Sequence, residues 1–230
     1  MSAPKEATAD PKAAREAPPL AIRPAEKRDA EAVAGLYVQL WETELPMLLV
    51  AGREETKRFL VRHLLAEDGR RLRNNYVGEY EGEVVAVYGV STKEDPRPGF
   101  GRPGVVRDIV ASVGIAKLPK LIWPLVQNLV TPAGEEWPGT LYISNLVIAH
   151  KYRKYGFGEQ IFGHYVDQAV ARGCDRIAGQ VMDPRAVKFY EHMGTVFPVR
   201  ARNDGPRPVG RLAGRIGVDS VLIWSDVPRA

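Results

Sequence analysis

One stretch of the chain decides the fold, residues 141–158, which read LYISNLVIAHKYRKYGFG. Its first part, residues 141–148, is almost continuously apolar and rich in β-branched side chains, as in a strand buried on both faces of a sheet. The spacing of apolar side chains from Phe157 to Arg172 then predicts a helix, with Gly173 placed to end it. The stretch therefore predicts a central strand, a tight basic turn and a helix.

The turn between this strand and this helix has the features of an anion-binding site. Gly156 and Gly158 let the backbone bend sharply and approach a ligand closely. The N–H groups that open a helix have no acceptor within it, and the helix dipole favours negative charge beside them. Lys151, Arg153 and Lys154 add positive side chains. A phosphate or pyrophosphate is therefore the expected ligand.

The spacing of the glycines narrows the kind of phosphate site. The strand is followed neither by Gly-x-x-x-x-Gly-Lys nor by Gly-x-Gly-x-x-Gly, so P-loop and dinucleotide-binding loops lose support. Arg153-x-x-Gly156-x-Gly158 instead resembles the coenzyme A signature of the GNAT superfamily of N-acetyltransferases, which is arginine or glutamine, two residues, glycine, one residue, glycine or alanine. The resemblance is close over residues 141–197, recognisable over 20–91, and absent from the N-terminal tail and from residues 92–140.

The resemblance implies how acetyl-CoA, the expected cosubstrate, would bind. Backbone N–H groups from Arg153 to Gly158 would bind the pyrophosphate, and the fourth strand would pair with the pantetheine arm. Asp183 stands where the family often has asparagine, and it also suits the N-cap of the next helix. The cofactor-binding residues implied are Leu146, Val147, Ile148, Arg153, Lys154, Tyr155, Gly156, Phe157, Gly158, Asp183, Ala186 and Phe189.

The catalytic side is less fully specified. Tyr190 matches the family's tyrosine that protonates the departing thiolate, with core packing as the alternative role. The amine must lose a proton before it attacks, yet the fourth strand carries no carboxylate. Ser144 and Asn145 occupy it instead, so we expect either a water relay held by one of them or a carboxylate from elsewhere. Asp108 is one such carboxylate.

The acceptor amine is expected to approach from the region of the first two helices. Glu42 and Glu44 lie between these helices and could attract a cationic amine, and Trp123 belongs to the apolar run 109–130 on the side where an acceptor would enter. Three roles are open for that run: a lid over the acceptor, a dimer surface, or a cover for the sheet edge. His164 and His192 have no metal-like partners at fixed spacing and no nucleophile paired with them in sequence, so we expect direct transfer without a metal.

The periodicity of the remaining chain predicts an α/β (α+β) protein. After a flexible tail at 1–19, a single domain at 20–230 alternates strands and helices, with a helical insertion at 92–140 between the third and fourth strands. The resemblance implies a mixed, mostly antiparallel sheet of six to seven strands flanked by helices. The final strands are expected at 195–200 and 220–224, with an arginine-rich loop between them.

Composition restricts the partners and the compartment. The 230 residues carry a net charge of +4, and the five arginines between residues 200 and 215 against Asp204 alone account for all of it (5 − 1 = 4). A general nucleic-acid coat is therefore not expected. Cys174 is the only cysteine, which excludes an internal disulfide and fits a reducing cytoplasm. No stretch has the ~20 apolar residues of a membrane helix.

Two functions remain open at this point. The first is N-acetylation of an amine of a small molecule or a protein, with a homodimer as one option for the assembly. The second is a domain that binds coenzyme A or an acyl-CoA as a sensor or interaction module without turnover, which the missing carboxylate on the fourth strand would explain.

Overall fold

The computed structural model describes residues 17–44, 46–49, 51–95, 104–115, 138–181, 183–193, 200–202 and 221–227. The strands among them are β1 (Ala21–Pro24), β2 (Asn75–Tyr80), β3 (Glu83–Ser91), β4 (Thr140–Ile148), β5 (Arg176–Val181), β6 (Arg200–Arg202) and β7 (Val221–Asp226). The α-helices among them are α1 (Ala30–Glu44), α2 (Arg53–Gly69), α3 (Val105–Val113), α4 (Phe157–Ala171) and α5 (Pro184–Met193).

The strands form one sheet in the order β1-β2-β3-β4-β5-β7-β6. Only the pair β4–β5 is parallel; every other neighbouring pair is antiparallel. A parallel neighbour requires a crossover, and α4 supplies it between β4 and β5. The predicted mixed, mostly antiparallel sheet of six to seven strands is confirmed, with β4 in its middle as its apolar sequence requires.

The hairpin between β2 and β3 turns at Glu81 and Gly82. Both have positive φ, 52° and 77°. Two consecutive residues of this kind twist in the same sense as the flanking strands, which is why short hairpins favour them. The turn predicted from Gly82 is present, and Glu81 shares its conformation.

Two layers of helices cover the two faces of the sheet, because successive side chains of a strand point to opposite faces. Val87 and Val147 belong to a buried cluster with side chains of α1, α2 and α3. Tyr88 and Leu141 belong to a second buried cluster, with side chains of α4 and α5.

An ion pair ties the first strand to the first helix. Arg23 on β1 forms two hydrogen bonds with the Asp29 carboxylate, at 2.7 and 2.9 Å, and the buried Asp29 also accepts from the N–H of Glu26 at 2.8 Å. These bonds to the charged form hold the pKa of Asp29 below its ordinary value. The opening strand is thereby fixed ahead of α1.

Several boundaries differ from those predicted. α1 continues to Glu44, and α2 is broken at Ala66–Asp68, where Glu67 and Asp68 have positive φ. The strand expected at 195–200 is found at Arg200–Arg202, with 194–199 outside the described residues, and the last strand lies at Val221–Asp226. The predicted insertion contributes α3, which packs on α2.

Two other predictions can be compared with the structure over only part of the chain. Among the residues described, no helix is both long enough and apolar enough to cross a membrane. Residues 203–215 of the arginine-rich loop, and residues 1–16 of the predicted tail, lie outside the described ranges.

Candidate active site

The sheet opens between its two parallel strands. β4 and β5 pair from Thr140↔Arg176 to Ile143↔Gly179, and the pairing ends there. Both strands continue, β4 to Ile148 and β5 to Val181. A gap therefore lies between the second half of β4 and the end of β5, and backbone groups on the β4 side of it are free for a ligand to pair with.

Successive residues of a strand direct their backbone N–H and C=O groups to opposite sides, and this alternation identifies the groups of β4 that face the gap. The N–H of Ala149 donates to Val85 of β3 at 2.8 Å, and Val147 pairs with Val87. Leu146 and Ile148 must then direct their N–H and C=O groups away from β3, into the gap. Val147 instead is 3% exposed and packs in the core.

Gln39 of α1 fixes the end of this strand, a role that the sequence did not indicate. Its side-chain amide donates to the carbonyl of Ile148 at 3.0 Å and accepts from the N–H of His150 at 3.1 Å. An amide can do both because it carries a donor and an acceptor. One carbonyl that faces the gap is thus already engaged, while α1 is held close to it.

The polar residues predicted on β4 lie at an irregularity of the strand. Asn145 has a positive φ of 52°, and the register with β3 shifts between Val87 and Gly89. The Tyr37 hydroxyl donates to Asn75 at 2.6 Å, and burial raises the pKa of this phenol while the nearby Asn145 side chain lowers it. Ser144 and Asn145 are both exposed. Asn145 is thereby directed towards α1, and Ser144 remains open to solvent.

The predicted pyrophosphate turn has the backbone shape that its glycines suggested. Lys154 and Gly156 have positive φ, 76° and 80°, and Phe157 begins α4 with its ring 1% exposed. A Cβ at Gly158 would lie 2.8 Å from the ring of Phe189. Only glycine therefore lets α5 pack this closely over the first turn of α4, whose N–H groups lack acceptors within the helix.

Cationic and aromatic side chains surround the turn. Lys151 pairs with Glu83 at 2.7 Å and stands over the ring of Tyr152 at 4.7 Å. Arg153 and Lys154 are exposed, and Tyr155 is 42% exposed. Lys151, Arg153 and Lys154 therefore all place positive charge beside the turn.

The segment that precedes β1 contacts the same turn. The Gln160 side chain accepts from the N–H of Leu20 at 2.9 Å and donates to the carbonyl of Pro18 at 2.8 Å. A Cβ at Gly156 would lie 2.5 Å from the Cβ of Ala17. Residues 17–20 thus form one wall of the turn, which no motif in the sequence indicated.

Tyr190 is buried in the layer of α4 and α5, in the cluster that packs on one face of the sheet. It is 6% exposed, and its ring centroid lies 5.0 Å from that of Phe189 and 6.4 Å from that of Phe162. Burial raises the pKa of its phenol, and the charge of Glu44 raises it further. Tyr190 therefore keeps its proton at neutral pH.

Glu44 is the acidic group that faces Tyr190. Burial, together with the charge of Asp183, raises the pKa of the Glu44 carboxyl to about 7. Glu44 ends α1 on one side of the sheet, whereas Tyr190 belongs to α5 on the other. Asp183 and Tyr190 therefore each lie within electrostatic range of Glu44, although the sequence placed the three residues in separate roles.

The other predicted residues have the following positions. Glu42 forms an ion pair with Arg53 of α2. The carbonyl of Asp183 accepts from the N–H groups of Ala186 and Val187, at 2.9 and 3.3 Å, and so begins α5. Ala186 packs at the edge of the core, and Trp123 lies outside the described residues.

Comparisons with known proteins were made on the sequence and on the fold. A sequence model described as the acetyltransferase (GNAT) family matches residues 37–195. A solved acetyltransferase is similar in fold, with a TM-score of 0.57, 20% identity, and coverage of 90% of this chain and all (100%) of the other. The ribosomal-protein-alanine N-acetyltransferase of Brucella melitensis is similar with a TM-score of 0.50, 18% identity, and coverage of 90% and 99%.

A third similar structure comes from a longer protein. The N-acetylglutamate synthase of Neisseria gonorrhoeae, solved with coenzyme A and N-acetyl-glutamate, has a TM-score of 0.53 and 14% identity. The match covers 93% of this chain and 36% of that one, so this chain spans about a third of its length. At these identities the three structures support the fold and leave the acceptor open.

Proposed function

Because the chain belongs to the GNAT family of acetyltransferases, we propose that it transfers an acetyl group from acetyl-CoA to the amine of a small molecule or a protein. The observation that carries this proposal is the gap between β4 and β5, because β4 leads from it into the glycine turn and Tyr190 is buried in the helical layer on one face of the same sheet. A pantetheine arm is a linear chain of amides, and such a chain fits an unpaired strand edge.

The cofactor would be held mainly by backbone groups. We assign the pyrophosphate to the N–H groups of the turn from Arg153 to Gly158, assisted by the exposed charges of Arg153 and Lys154. Leu146 and Ile148 would pair with the pantetheine amides through the backbone groups that face the gap, except for the Ile148 carbonyl, which accepts from Gln39. Acetyl-CoA supplies the thioester whose acetyl carbon an amine can attack.

Tyr190 would act on the leaving group. Its buried phenol stays protonated at neutral pH, so it can give its proton to sulfur as the C–S bond breaks. Transfer would be direct, from cofactor to acceptor, without a covalent enzyme intermediate.

A thiol-release assay with a panel of amines tests the proposal. We expect free thiol to appear at a rate that depends on the amine and saturates with acetyl-CoA. Mass spectrometry of the amine should show one added acetyl group. Thiol release that is independent of every amine would contradict transfer to an acceptor.

The alternative is a domain that binds coenzyme A without turnover. Its support was the lack of a carboxylate on β4. Glu44 now stands beside Tyr190, which weakens that support. Tight acetyl-CoA binding in a calorimeter, with no acceptor-dependent thiol from any amine, would favour the alternative.

A further inference from the structure

We propose that Gln39 of α1 is a positioning residue for the cofactor, which aligns the edge of β4 that faces the gap with the turn from Arg153 to Gly158. This inference rests on the proposed function and concerns the same cofactor site. It depends on three observations: the two backbone groups that Gln39 engages, the packing of the helix that carries it, and the groups of β4 that it leaves to a ligand.

The two backbone groups bonded to Gln39 lie on either side of the boundary between strand and turn. The side-chain N–H of Gln39 donates to the carbonyl of Ile148 at 3.0 Å, and Ile148 is the last residue of β4. The side-chain oxygen of Gln39 accepts from the N–H of His150 at 3.1 Å, and His150 begins the short 3₁₀ helix that leads to Arg153. One amide therefore holds the end of the strand and the approach to the turn in a single geometry.

The helix that carries Gln39 is firmly packed on the sheet. Tyr37 and Val38, the two residues before Gln39, are 7% and 3% exposed and belong to the buried cluster of α1, α2 and α3. Val147, the neighbour of Ile148 in β4, belongs to the same cluster. Close packing fixes the backbone on both sides of the contact. The half-buried Gln39 amide therefore starts from a fixed position and can hold its two partners in place.

The bond from Gln39 also decides which backbone groups of β4 a cofactor can use. Leu146 and Ile148 direct their backbone groups towards the gap, and Gln39 occupies the carbonyl of Ile148. The N–H and the carbonyl of Leu146 and the N–H of Ile148 then remain for a ligand. A pantetheine arm pairs with a strand edge through donors and acceptors in a fixed order. Gln39 therefore restricts the arm to a register that does not use the Ile148 carbonyl.

The alignment matters because the cofactor has two parts joined by a covalent chain. We have assigned its pyrophosphate to the turn and its pantetheine arm to the edge of β4. A ligand with two linked parts gains affinity from both only when the spacing of the two subsites matches the link between them. A shift of the strand end relative to the turn should therefore weaken a ligand that has both parts. It should leave unchanged a ligand that has the pyrophosphate alone.

The test compares Gln39→Met with Gln168→Met in the full chain. Methionine keeps the length of glutamine but forms neither of its hydrogen bonds. Gln168 on α4 is the matched control, because its side chain also links a helix to the sheet, accepting from the Tyr76 hydroxyl at 2.8 Å. Tyr76 belongs to β2, which β3 separates from β4.

Two probes are titrated by calorimetry against each variant. The first is acetyl-CoA, and the second is 3′-phospho-ADP, which is coenzyme A without its pantetheine arm. We expect Gln39→Met to bind acetyl-CoA about 5- to 10-fold more weakly and 3′-phospho-ADP within about 2-fold of the wild type. Gln168→Met should keep both affinities within about 2-fold. In turnover, the KM for acetyl-CoA should rise in Gln39→Met by more than kcat changes, because Gln39 contacts no reacting atom.

A second variant, Gln39→Asn, keeps the amide but is one methylene too short to reach both backbone groups, so it should show the same selective loss. Equal loss for the two probes, or no loss for either, would overturn the role of Gln39 and leave the proposed function standing. Failure of both Gln39 variants to fold would also overturn it, because Gln39 would then support the fold as a whole. Failure of the wild type to bind acetyl-CoA would overturn the proposed function, and this inference with it.

Discussion

The two halves of the candidate site are built in different ways. The cofactor half, residues 146–158, is one continuous stretch in which a strand, a turn and a helix N-terminus follow each other. The acceptor half of the proposed site consists of Glu44, Asp183 and Tyr190, which come from different helical segments, and Asp183 and Tyr190 each lie within electrostatic range of Glu44. Local geometry therefore suffices for the first half, whereas the second depends on how far β4 and β5 separate.

The difference also appears in the type of group each half uses. The cofactor half relies on backbone N–H groups, which any sequence supplies once glycines allow the shape. The acceptor half relies on side chains whose ionisation is shifted by burial and by each other. Substitutions should therefore separate the halves, since one set should change affinity for acetyl-CoA and the other the chemical step.

The largest effect is expected from Tyr190→Phe. The ring would still pack against Phe162 and Phe189, but the proton donor for sulfur would be lost. We expect kcat to fall about 100-fold or more, with acetyl-CoA affinity unchanged. Single-turnover kinetics and calorimetry measure the two quantities. Normal turnover would remove Tyr190 from the chemistry and leave it a packing residue.

The next largest effect is expected from Gly156→Ala. Alanine is strained at a φ of 80°, and its methyl group would meet Ala17, so the N–H groups of the turn must shift. We expect acetyl-CoA to bind about 10-fold more weakly. Gly173→Ala is the matched control, because Gly173 has a φ of 65° at the other end of α4 and faces open space. Equal losses of affinity in both variants would point to helix destabilisation.

A smaller effect, on stability, is expected from Glu44→Gln. The folded state raises the pKa of Glu44 from 4.5 to about 7, so it holds a proton more tightly than the unfolded chain does. This contribution to stability is present below about pH 4.5 and is lost as pH rises through about 7. Glu44→Gln should therefore raise Tm relative to the wild type at pH 8 but not at pH 4.5, by about 2–4 °C per kcal/mol recovered. Equal Tm differences at the two pH values would show that Glu44 is not buried beside Asp183.

The smallest effect is expected from Tyr165→Phe. Tyr165 is fully buried, and its hydroxyl has no hydrogen-bond partner among the described residues. Its removal should leave the free energy of unfolding unchanged or raise it by up to about 1 kcal/mol. Tyr88→Phe should instead lower it by about 1 kcal/mol, because the Tyr88 hydroxyl bonds to His164 at 2.6 Å. Denaturant titration compares them, and a large loss in Tyr165→Phe would mean that its hydroxyl is paired.

The two halves of the candidate site differ in how much of each could be predicted from the sequence, and the difference has a physical reason. The spacing of Arg153, Gly156 and Gly158, with the apolar strand before it, was enough to predict the sheet centre, the turn and α4. Tyr190 was found by its position after β5. Gln39 and the contact of Ala17 with Gly156 were not predicted, since a polar side chain on an amphipathic helix and a residue in a tail carry no local signal of the contacts that they make.

Glu44 shows most clearly what the sequence could predict and what it could not. The sequence placed it near the acceptor but gave no reason to separate it from Glu42, two residues earlier on the same helix. In the structure Glu42 pairs with Arg53, while Glu44 faces Asp183 and Tyr190. The two carboxyl groups differ because each has different neighbours in space, and these neighbours are distant in the chain.

The sequence alone determined the strand, turn and helix to which we assign the cofactor, because their conformation depends on apolar periodicity and on glycines a few residues apart. Only the tertiary structure decided which carboxylate faces the phenol of Tyr190. That choice depends on the end of pairing between β4 and β5, on the length of α1, and on burial that shifts a carboxyl pKa. These quantities exist only once the two helical layers have packed on the sheet.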